Sequence, residues 1–551
     1  MARTNEHNKN LSEPKTMNIL KYFSIKCLSI MFTLSLLSFI TSLIVGLFVI
    51  PLLTRNKVAG SVSLEEGTKQ WNRFIELPFP TDFKVTVFEV TNHYEVVYSG
   101  AKPDVKEIGP FVYKQRRRRS VIYINTDQDT VSYQQYLSFN FSRQDSVLND
   151  DTEVQVLNPI LWTTIDQTSD DQQLDLKNNI HRIFQNINDI FVKVKIKDLL
   201  FDGIQFARGT DCDHAEGDSK IKCTTLLRQI QINARKLKTV REYNGVHYFS
   251  YFGYKLLYND DIFTVNRGIK NPWLLGSIRE WNKNRHTNFW GTLKTVNDEV
   301  CSKIRGTDGS IFSPNIESKE RLDVLVPDLC RVIHVDQKSF EVYKDVKAFR
   351  FEAPNNLFRR ATSAEETDCY CVKKTNDAYG EPSCYLNGVI DLQTCVGAPI
   401  LLSLPHFVSA DKSYVDKVTG LNPNPEKHTP FFLIEANTGT VLKGAQRIQL
   451  NMVLRPTGHM DTISIARAVL PMLWVEESME LPEMYIEELK DDTYRLASSG
   501  NIIMITSIVV TFAITVLFGV LLAVKCCQIY KINRETVLQR GENHSFGSLI
   551  S

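Results

Sequence analysis

The chain has 551 residues and a formal net charge of +1, so its charge gives no reason to expect a nucleic-acid partner. Its length is compatible with several average domains or with one large β-rich unit. Hydrophobic residues make up 43% of the chain and are concentrated in two uncharged runs near its ends.

These two runs are long enough to cross a bilayer, which takes about 20 apolar residues. The first, residues 27–54, is too long for the core of a signal peptide and lacks a small-x-small cleavage site. The second, residues 496–524, is apolar all round, which is rare for the core helix of a soluble protein. We therefore predict transmembrane helices at residues 27–54 and 500–524.

The charges that flank the two runs predict the topology. Both tails are rich in lysine and arginine, whereas residues 476–492, just before the second run, are acidic. Because basic flanks stay in the cytoplasm, we expect cytoplasmic tails at residues 1–26 and 525–551 and an external region at residues 55–499. The C-terminal tail lacks an acidic-dileucine signal, since Ser545 stands where the acid would precede Leu549. That favours the plasma membrane over lysosomes.

Early elements of the external region carry strand signals. Residues 83–90 predict a strand, and Gly109-Pro110 predicts a turn before the next one. The four arginines at residues 116–119 are open to three interpretations: a furin-type cleavage site, an anion-binding patch or a solvated strand edge, which we favour. Residues 131–142 alternate apolar and polar, which is typical of a half-buried strand. On the polar face of that strand, Asn140 begins a glycosylation sequon.

Further along the chain, the spacing of the apolar residues changes. Apolar residues recur at steps of three and four from Leu176 to Val194, which predicts an amphipathic helix. This stripe is either ordinary core packing or a lid over an apolar ligand site with cations beside it. In the second interpretation the candidate ligand-capture residues are as follows: Arg182, Ile187, Phe191, Lys193 and Lys195. Turn-rich short strands follow, so the external region is predicted to be mainly β, mostly antiparallel, with helical insertions.

The eleven cysteines divide by compartment. Three flank the predicted spans and are either palmitoylation sites or idle thiols: Cys27, Cys526 and Cys527. The others lie in the oxidising compartment, where disulfides are expected rather than a metal site: Cys212, Cys223, Cys301, Cys330, Cys369, Cys371, Cys384 and Cys395. No catalytic motif for a nucleophile, phosphate, zinc or dinucleotide is present, so we predict no catalytic residue, metal or cofactor.

Several motifs in a fixed order between the two runs point to a family. They include LPFPTDFKVTVFEVTN, EIGPFVYK, GTDGSIFSP, PDLCR, DCYC, LSLPHF and GLNPNPEKH. With them the chain resembles the class B scavenger receptors, and LLFDGI, Cys212, Cys223 and FTVNRGIKN resemble the insect sensory neuron membrane protein branch. Ser313-Pro314-Asn315 departs from the family's usual Pro-Pro-Phe run.

The resemblance implies a fold and a set of disulfides. The fold is a large antiparallel β-barrel-like ectodomain with an apex helical bundle, set between two transmembrane helices. The implied disulfides are Cys301–Cys369, Cys330–Cys395 and Cys371–Cys384, which leaves Cys212 with Cys223.

It also implies a function. An apolar tunnel would pass a lipid, fatty acid or lipophilic odorant to the membrane or to a neighbouring odorant receptor complex. Two alternatives from other classes are a two-span, Cys-rich ion channel and an ectoenzyme. The second span offers only threonines and a serine as polar residues, which disfavours the channel.

Overall fold

The computed structural model describes residues 24–169, 171–184, 189–207, 210–256, 261–290, 301–359, 370, 375–376, 382–383, 385–457 and 464–546. These residues form two compact units. One contains the chain up to Val58 and from Glu488 onward, and the other contains Ala59–Glu487.

The first unit is built from long apolar helices. An α-helix over Ile25–Ile44 continues through a π-helical turn, Val45–Val49, into a helix over Ile50–Ser61. Near the other end, a helix over Glu483–Leu489 and a π-helical turn over Lys490–Tyr494 precede the helix Arg495–Phe546. Ile25–Ser61 and Ser498–Leu538 are each long and apolar enough to cross a membrane, and they contain the predicted transmembrane helices at residues 27–54 and 500–524.

These two helices pack against each other through small and aromatic side chains. The rings of Phe39 and Phe512 lie 5.4 Å apart, and the Thr515 hydroxyl donates to the Ser35 carbonyl at 3.0 Å. A Cβ on Gly46 would lie 2.9 Å from the Met504 side chain. Glycine is therefore what lets the backbones approach, as in many membrane helix pairs.

The second unit is built around one antiparallel sheet of thirteen strands. Its main path runs in the order β10-β9-β3-β2-β1-β20-β19-β18-β13-β12-β11, with β17 on β19 and β16 on β17. These strands are β1 Thr81–Val90, β2 Val105–Asn125, β3 Thr130–Phe141, β9 Ile262–Asn266, β10 Ile278–Trp281, β11 Arg321–Val326, β12 Arg331–Tyr343, β13 Val346–Glu352, β16 Val389–Asp391, β17 Leu401–Ser403, β18 Phe431–Glu435, β19 Val441–Leu454 and β20 Ala468–Glu480.

Three smaller sheets complete the strands: β4 Glu153–Leu157 with β5 Phe191–Lys195, β6 Ile204–Phe206 with β8 Val246–Phe249 and β7 Val240–Tyr243, and β14 Thr375–Asn376 with β15 Pro382–Ser383. The further α-helices are Lys69–Ile75, His93–Tyr98, Pro159–Gln167, Gln173–Ile183, Gly217–Ala234, Gln393–Val396, Lys412–Asp416 and Pro425–His428.

One short segment nearly closes the large sheet into a barrel. Ile278 of β10 donates its N–H to the Gly306 carbonyl at 2.8 Å, and Leu325 of β11 donates to the Thr307 carbonyl at 2.8 Å. Gly306 has φ +81°, and a Cβ there would lie 2.1 Å from the Asp323 carbonyl oxygen. Only glycine fits this bridge between the two ends of the sheet. The predicted barrel-like antiparallel fold is thus confirmed.

The helix predicted over residues 176–194 is only half correct. An α-helix covers Gln173–Ile183, but Phe191–Lys195 is strand β5, paired with β4 in the register Leu157↔Phe191. Pairing of β5 with its long-range partner β4 outweighs the helical spacing that continues through Phe191 and Val194.

The two predictions for β2 have different outcomes, and the turn prediction is wrong. Gly109 and Pro110 lie inside the strand rather than in a turn, beside an irregularity in the β1–β2 register between Val85 and Val87. The edge interpretation holds only in part: the β1 ladder ends at Gln115, so the arginines at 116–119 pair with β3 on one side and, apart from an isolated bridge between Arg118 and Glu76, with no strand on the other. Arg116 and Arg118 are exposed, whereas Arg119 is buried.

Candidate functional site

A small, partly open cavity of about 100 Å³ lies beside the β4–β5 hairpin. Its wall combines that hairpin with β6, β8 and the start of the helix Pro159–Gln167. The wall is formed by Asn158, Ile160, Phe184, Asp189, Phe191, Val192, Ile204, Gln205, Phe206 and Phe249. Most of these residues are apolar, but the surface that they present to the cavity is more polar than apolar, as a site for the polar end of an amphipathic ligand would be. We call this cavity the capture site.

The polar groups of the capture site differ in their hydrogen bonding. Asn158 caps the helix after it, since its Oδ1 accepts from the Leu161 N–H at 3.1 Å. Asp189 accepts from the Phe191 N–H at 2.6 Å and lies 3.0 Å from His93 Nδ1. The Gln205 Nε2 atom is buried and has no hydrogen-bond partner among the described residues. It is therefore a donor in this wall whose hydrogen-bonding capacity is not satisfied by the described residues.

The structure places the five predicted capture residues differently. Phe191 lies in the wall of the capture site and is buried. Lys193 and Lys195 are exposed on β5, and Lys193 Nζ lies 3.3 Å from the Glu153 carboxylate. Arg182 joins two helices instead of facing a ligand, because it donates to Asn179 at 3.2 Å and to Ser219 at 3.4 Å. Ile187 lies outside the described residues.

Disulfides fix the surrounding loops. Cys212 is bonded to Cys223 and Cys330 to Cys395, with Cα atoms 5.5 and 6.0 Å apart. Cys301 is also disulfide-bonded, and its predicted partner Cys369 lies outside the described residues, as do Cys371 and Cys384. The cysteines at 27, 526 and 527 are free and exposed.

Asn140, the predicted glycosylation site, lies on β3 and is exposed. Its neighbours Phe139 and Phe141 are partly covered, and Phe139 packs 4.9 Å from Phe83, ring centre to ring centre. The strand therefore keeps its apolar face inward and leaves the asparagine accessible for a glycan.

One of the four clustered arginines is buried. Arg119 is 5% exposed and donates to the Phe74 carbonyl at 2.6 Å, to Asp308 at 2.8 Å and to Ser310 at 2.8 Å. Although burial opposes it, the neighbouring Arg119 charge holds the pKa of Asp308 well below its usual range. Arg119 is thus an internal ion-pair residue, and this arrangement favours neither a cleavage site nor an anion-binding patch.

A buried histidine pair was missed by sequence reasoning. The His406 and His428 rings stack with centroids 4.5 Å apart. Each Nδ1 accepts a backbone N–H, from Asn422 at 3.0 Å and from Asn424 at 3.1 Å. His406 Nε2 lies 2.9 Å from Glu107. Burial, followed by the His406 charge, lowers the pKa of His428 to about 4.

Comparisons with known proteins agree with the fold and the two apolar helices. The model of the CD36 family matches residues 33–522. The chain therefore belongs to the CD36 family, a family of membrane receptors, and is a membrane-spanning protein with two candidate spans.

Among the relatives are insect proteins named sensory neuron membrane protein. Sensory neuron membrane protein 2 of Anopheles gambiae is 29% identical, with 89% of this chain and 92% of the relative covered. The Aedes aegypti protein of the same name is 30% identical over 80% of this chain and 89% of its own length. Sensory neuron membrane protein 1 of Pediculus humanus subsp. corporis is 32% identical over 83% and 84%. The predicted family and branch are confirmed.

Proposed function

We propose that this protein is a non-enzymatic receptor that captures a lipid, fatty acid or lipophilic odorant at the capture site. It then passes the ligand through the barrel to the membrane or to a neighbouring odorant receptor. The observation that carries the proposal is a small cavity beside β4–β5, lined by apolar residues together with polar groups, in a chain of this receptor family. The names of the relatives support a role in olfaction.

The chemistry of the capture site fits such a ligand. Each CH₂ group removed from water stabilises the complex by about 0.8 kcal/mol, so a long alkyl chain supplies most of the affinity. The Gln205 amide supplies a hydrogen bond for a carboxylate, hydroxyl or carbonyl head group. The ligand therefore has an apolar body and one polar acceptor.

The proposed topology follows the charge asymmetry of the tails. Residues 1–26 and 525–551 lie in the cytoplasm and residues 55–499 outside, at the plasma membrane. In this topology the disulfides, the Asn140 sequon and the capture site all face the oxidising compartment, where glycans are added and external ligands are met.

Filling the capture site tests the proposal. Val192→Trp adds a bulky ring to its wall, whereas Val147→Trp makes the same change at a valine that is 62% exposed elsewhere. Binding of a fluorescent fatty acid to the full chain in nanodiscs should weaken at least tenfold in the first variant and stay unchanged in the second. Unchanged binding in the first variant, with normal thermal unfolding, would refute the site.

Charge provides a second test. Lys193→Glu places two carboxylates together beside the capture site, since Lys193 now faces Glu153 at 3.3 Å. Capture of a fatty acid anion should weaken, while capture of the corresponding alcohol should not. An equal loss for both ligands would indicate misfolding rather than a role for the lysine charge.

The ion-channel alternative is less well supported. Within the second span, the hydroxyls of Ser507, Thr511 and Thr515 donate to backbone carbonyls one turn earlier, at 2.8 to 2.9 Å. Groups used in this way are poor lining for an aqueous pore. Agonist-gated current from the purified protein alone would overturn our choice, and hydrolysis of a lipid ester would support the ectoenzyme instead.

A further inference from the structure

One end of the large sheet carries a set of exposed apolar side chains. They lie near the C-terminal end of β2 and on the loop after β9, and each is between 39% and 61% exposed: Ile122, Tyr123, Ile269, Trp273 and Leu274. We call this set the rim patch. Contiguous exposed apolar residues of this kind mark an interaction surface more often than isolated ones do.

The sheet register places the two parts of the rim patch at the same end of the sheet, with β3 between them. Tyr123 pairs with Ser132 of β3, which pairs with Thr264 of β9, two residues before that strand ends. Beyond the strand ends, the Lys270 N–H donates to the Asp129 carboxylate at 2.8 Å and its Nζ to the Asp127 carbonyl at 3.0 Å. The β2–β3 hairpin and the loop after β9 therefore form one structural rim.

The loop is built so that its apolar residues point outward. Asn271 Oδ1 caps the short 3₁₀ turn Pro272–Leu274 by accepting from the Trp273 N–H at 3.1 Å. Leu275 next to it is buried, and Gly268 and Gly276 take positive φ angles of 75° and 72° where the loop leaves and rejoins the sheet. Exposure of the tryptophan and leucine is thus fixed by the backbone.

The covalent chain ties this rim to the first span. Arg267 is buried and donates through Nε to the Leu64 carbonyl at 3.1 Å, while the Leu64 N–H donates to the Arg267 carbonyl at 2.8 Å. The uncharged run ends at Thr54, and the helix Ile50–Ser61 continues past it.

The reach of that connection is limited. Seven helical residues after Thr54 rise about 10 Å, and the three residues from Ser61 to Leu64 add at most about 10 Å. Leu64 is therefore joined to the end of the uncharged run by a stretch of chain that reaches at most about 20 Å. Its hydrogen bonds with Arg267 connect it to the start of the loop that bears Trp273.

We propose that the rim patch inserts into the boundary between head groups and acyl chains of the leaflet nearest the ectodomain. Its composition fits that layer, since tryptophan and tyrosine prefer the membrane interface and aliphatic neighbours extend into the acyl region. Lys270, on the same loop, is exposed, so its charge, held beside the Asp127 carbonyl, would be available to lipid phosphates. This contact fixes the ectodomain against the bilayer whether or not a ligand occupies the capture site.

Depth-dependent fluorescence quenching tests the proposal on the full chain in nanodiscs containing lipids brominated near the head group. Trp273→Phe removes one of six tryptophans and should abolish a distinct quenched component of the emission. In that background Leu274→Trp should restore the component. Tyr243→Trp, at an exposed tyrosine on β7 beside the capture site, should not.

Two outcomes would overturn the proposal. The first is a quenched component that survives Trp273→Phe, or one that Tyr243→Trp restores as well as Leu274→Trp does. The second is the absence of quenching together with a change of oligomeric state in Trp273→Phe, which would assign the rim patch to a second copy of the chain. Matching thermal unfolding of the variants confirms that each is folded.

Discussion

The buried histidine pair predicts a specific acid sensitivity of the ectodomain. His428 is 3% exposed and its Nδ1 accepts the Asn424 N–H. Protonating that nitrogen would set two donors against each other and place a charge beside the stacked His406 ring. Lowering the pH from 7 to 5 therefore strains the loop that joins Asn422 to His428.

The direction and the size of this change in stability follow from proton linkage. The pKa of His428 is lowered from 6.5 to about 4 on folding, so the unfolded chain binds more protons between these values and stability falls as pH falls through 6.5. The loss levels off below about pH 4. At pH 5 it is about 2 kcal/mol, which for an ectodomain of this size lowers the unfolding temperature by about 2 °C.

The assay compares unfolding temperatures in nanodiscs at pH 7 and pH 5. His428→Asn keeps an acceptor near Nδ1 but cannot titrate, so its pH-dependent drop should be smaller than that of the wild type by about 2 °C. His214→Asn, at an exposed histidine, should behave as the wild type does. An identical drop in wild type and His428→Asn would refute the reasoning.

Three further predictions concern buried charge, covalent links and surface chemistry. Arg119→Met leaves the Asp308 carboxylate without its ion-pair partner and should lower the free energy of unfolding, measured by thermal unfolding, by about 3–5 kcal/mol. An unchanged free energy of unfolding would contradict the internal role of the pair. Cys330→Ser should cost about 2–5 kcal/mol through loss of the Cys395 disulfide, and equal stability after this change would refute it. Asn140→Gln should remove one glycan shift on a gel without altering stability, and an unchanged shift would show that the site is unused.

Features that depend on local pattern were predicted well. Alternation in residues 131–142 gave β3, because one face of a strand covers the core and the other faces water. The two membrane helices followed from length and the absence of charge alone. In both cases the pattern that determines the structure is contained within one short segment of the sequence.

Features that depend on distant partners were missed. Phe191 pairs with Leu157, and no periodicity within residues 176–194 reveals that partner. Asp189 and Gln205 were also missed as residues of the capture site. They lie in the same cavity wall as Phe191 only because the fold brings the β4–β5 hairpin close to β6 and β8. The register of long-range strands is the information that a single sequence conceals.

Buried charge restricts where an apolar conduit can run inside the barrel. Phe83 packs against Phe201 and Phe252, but its partner across β1 and β20 is Glu477, which lies 3.7 Å from Lys255. The Lys255 ammonium also pairs with a second carboxylate, that of Asp328, and its side chain is only 10% exposed.

An alkyl chain that displaced such an ion pair would leave charges unpaired, which costs several kcal/mol. This cost exceeds the free energy gained by burying each CH₂ group of the chain, about 0.8 kcal/mol. Under the proposed function, a ligand that moves through the barrel would therefore follow the aromatic side of the interior and bypass the charged side. Widening the aromatic side with Phe201→Ala should then speed transfer to the membrane. Removing the charge with Lys255→Met should destabilise the fold without opening a route.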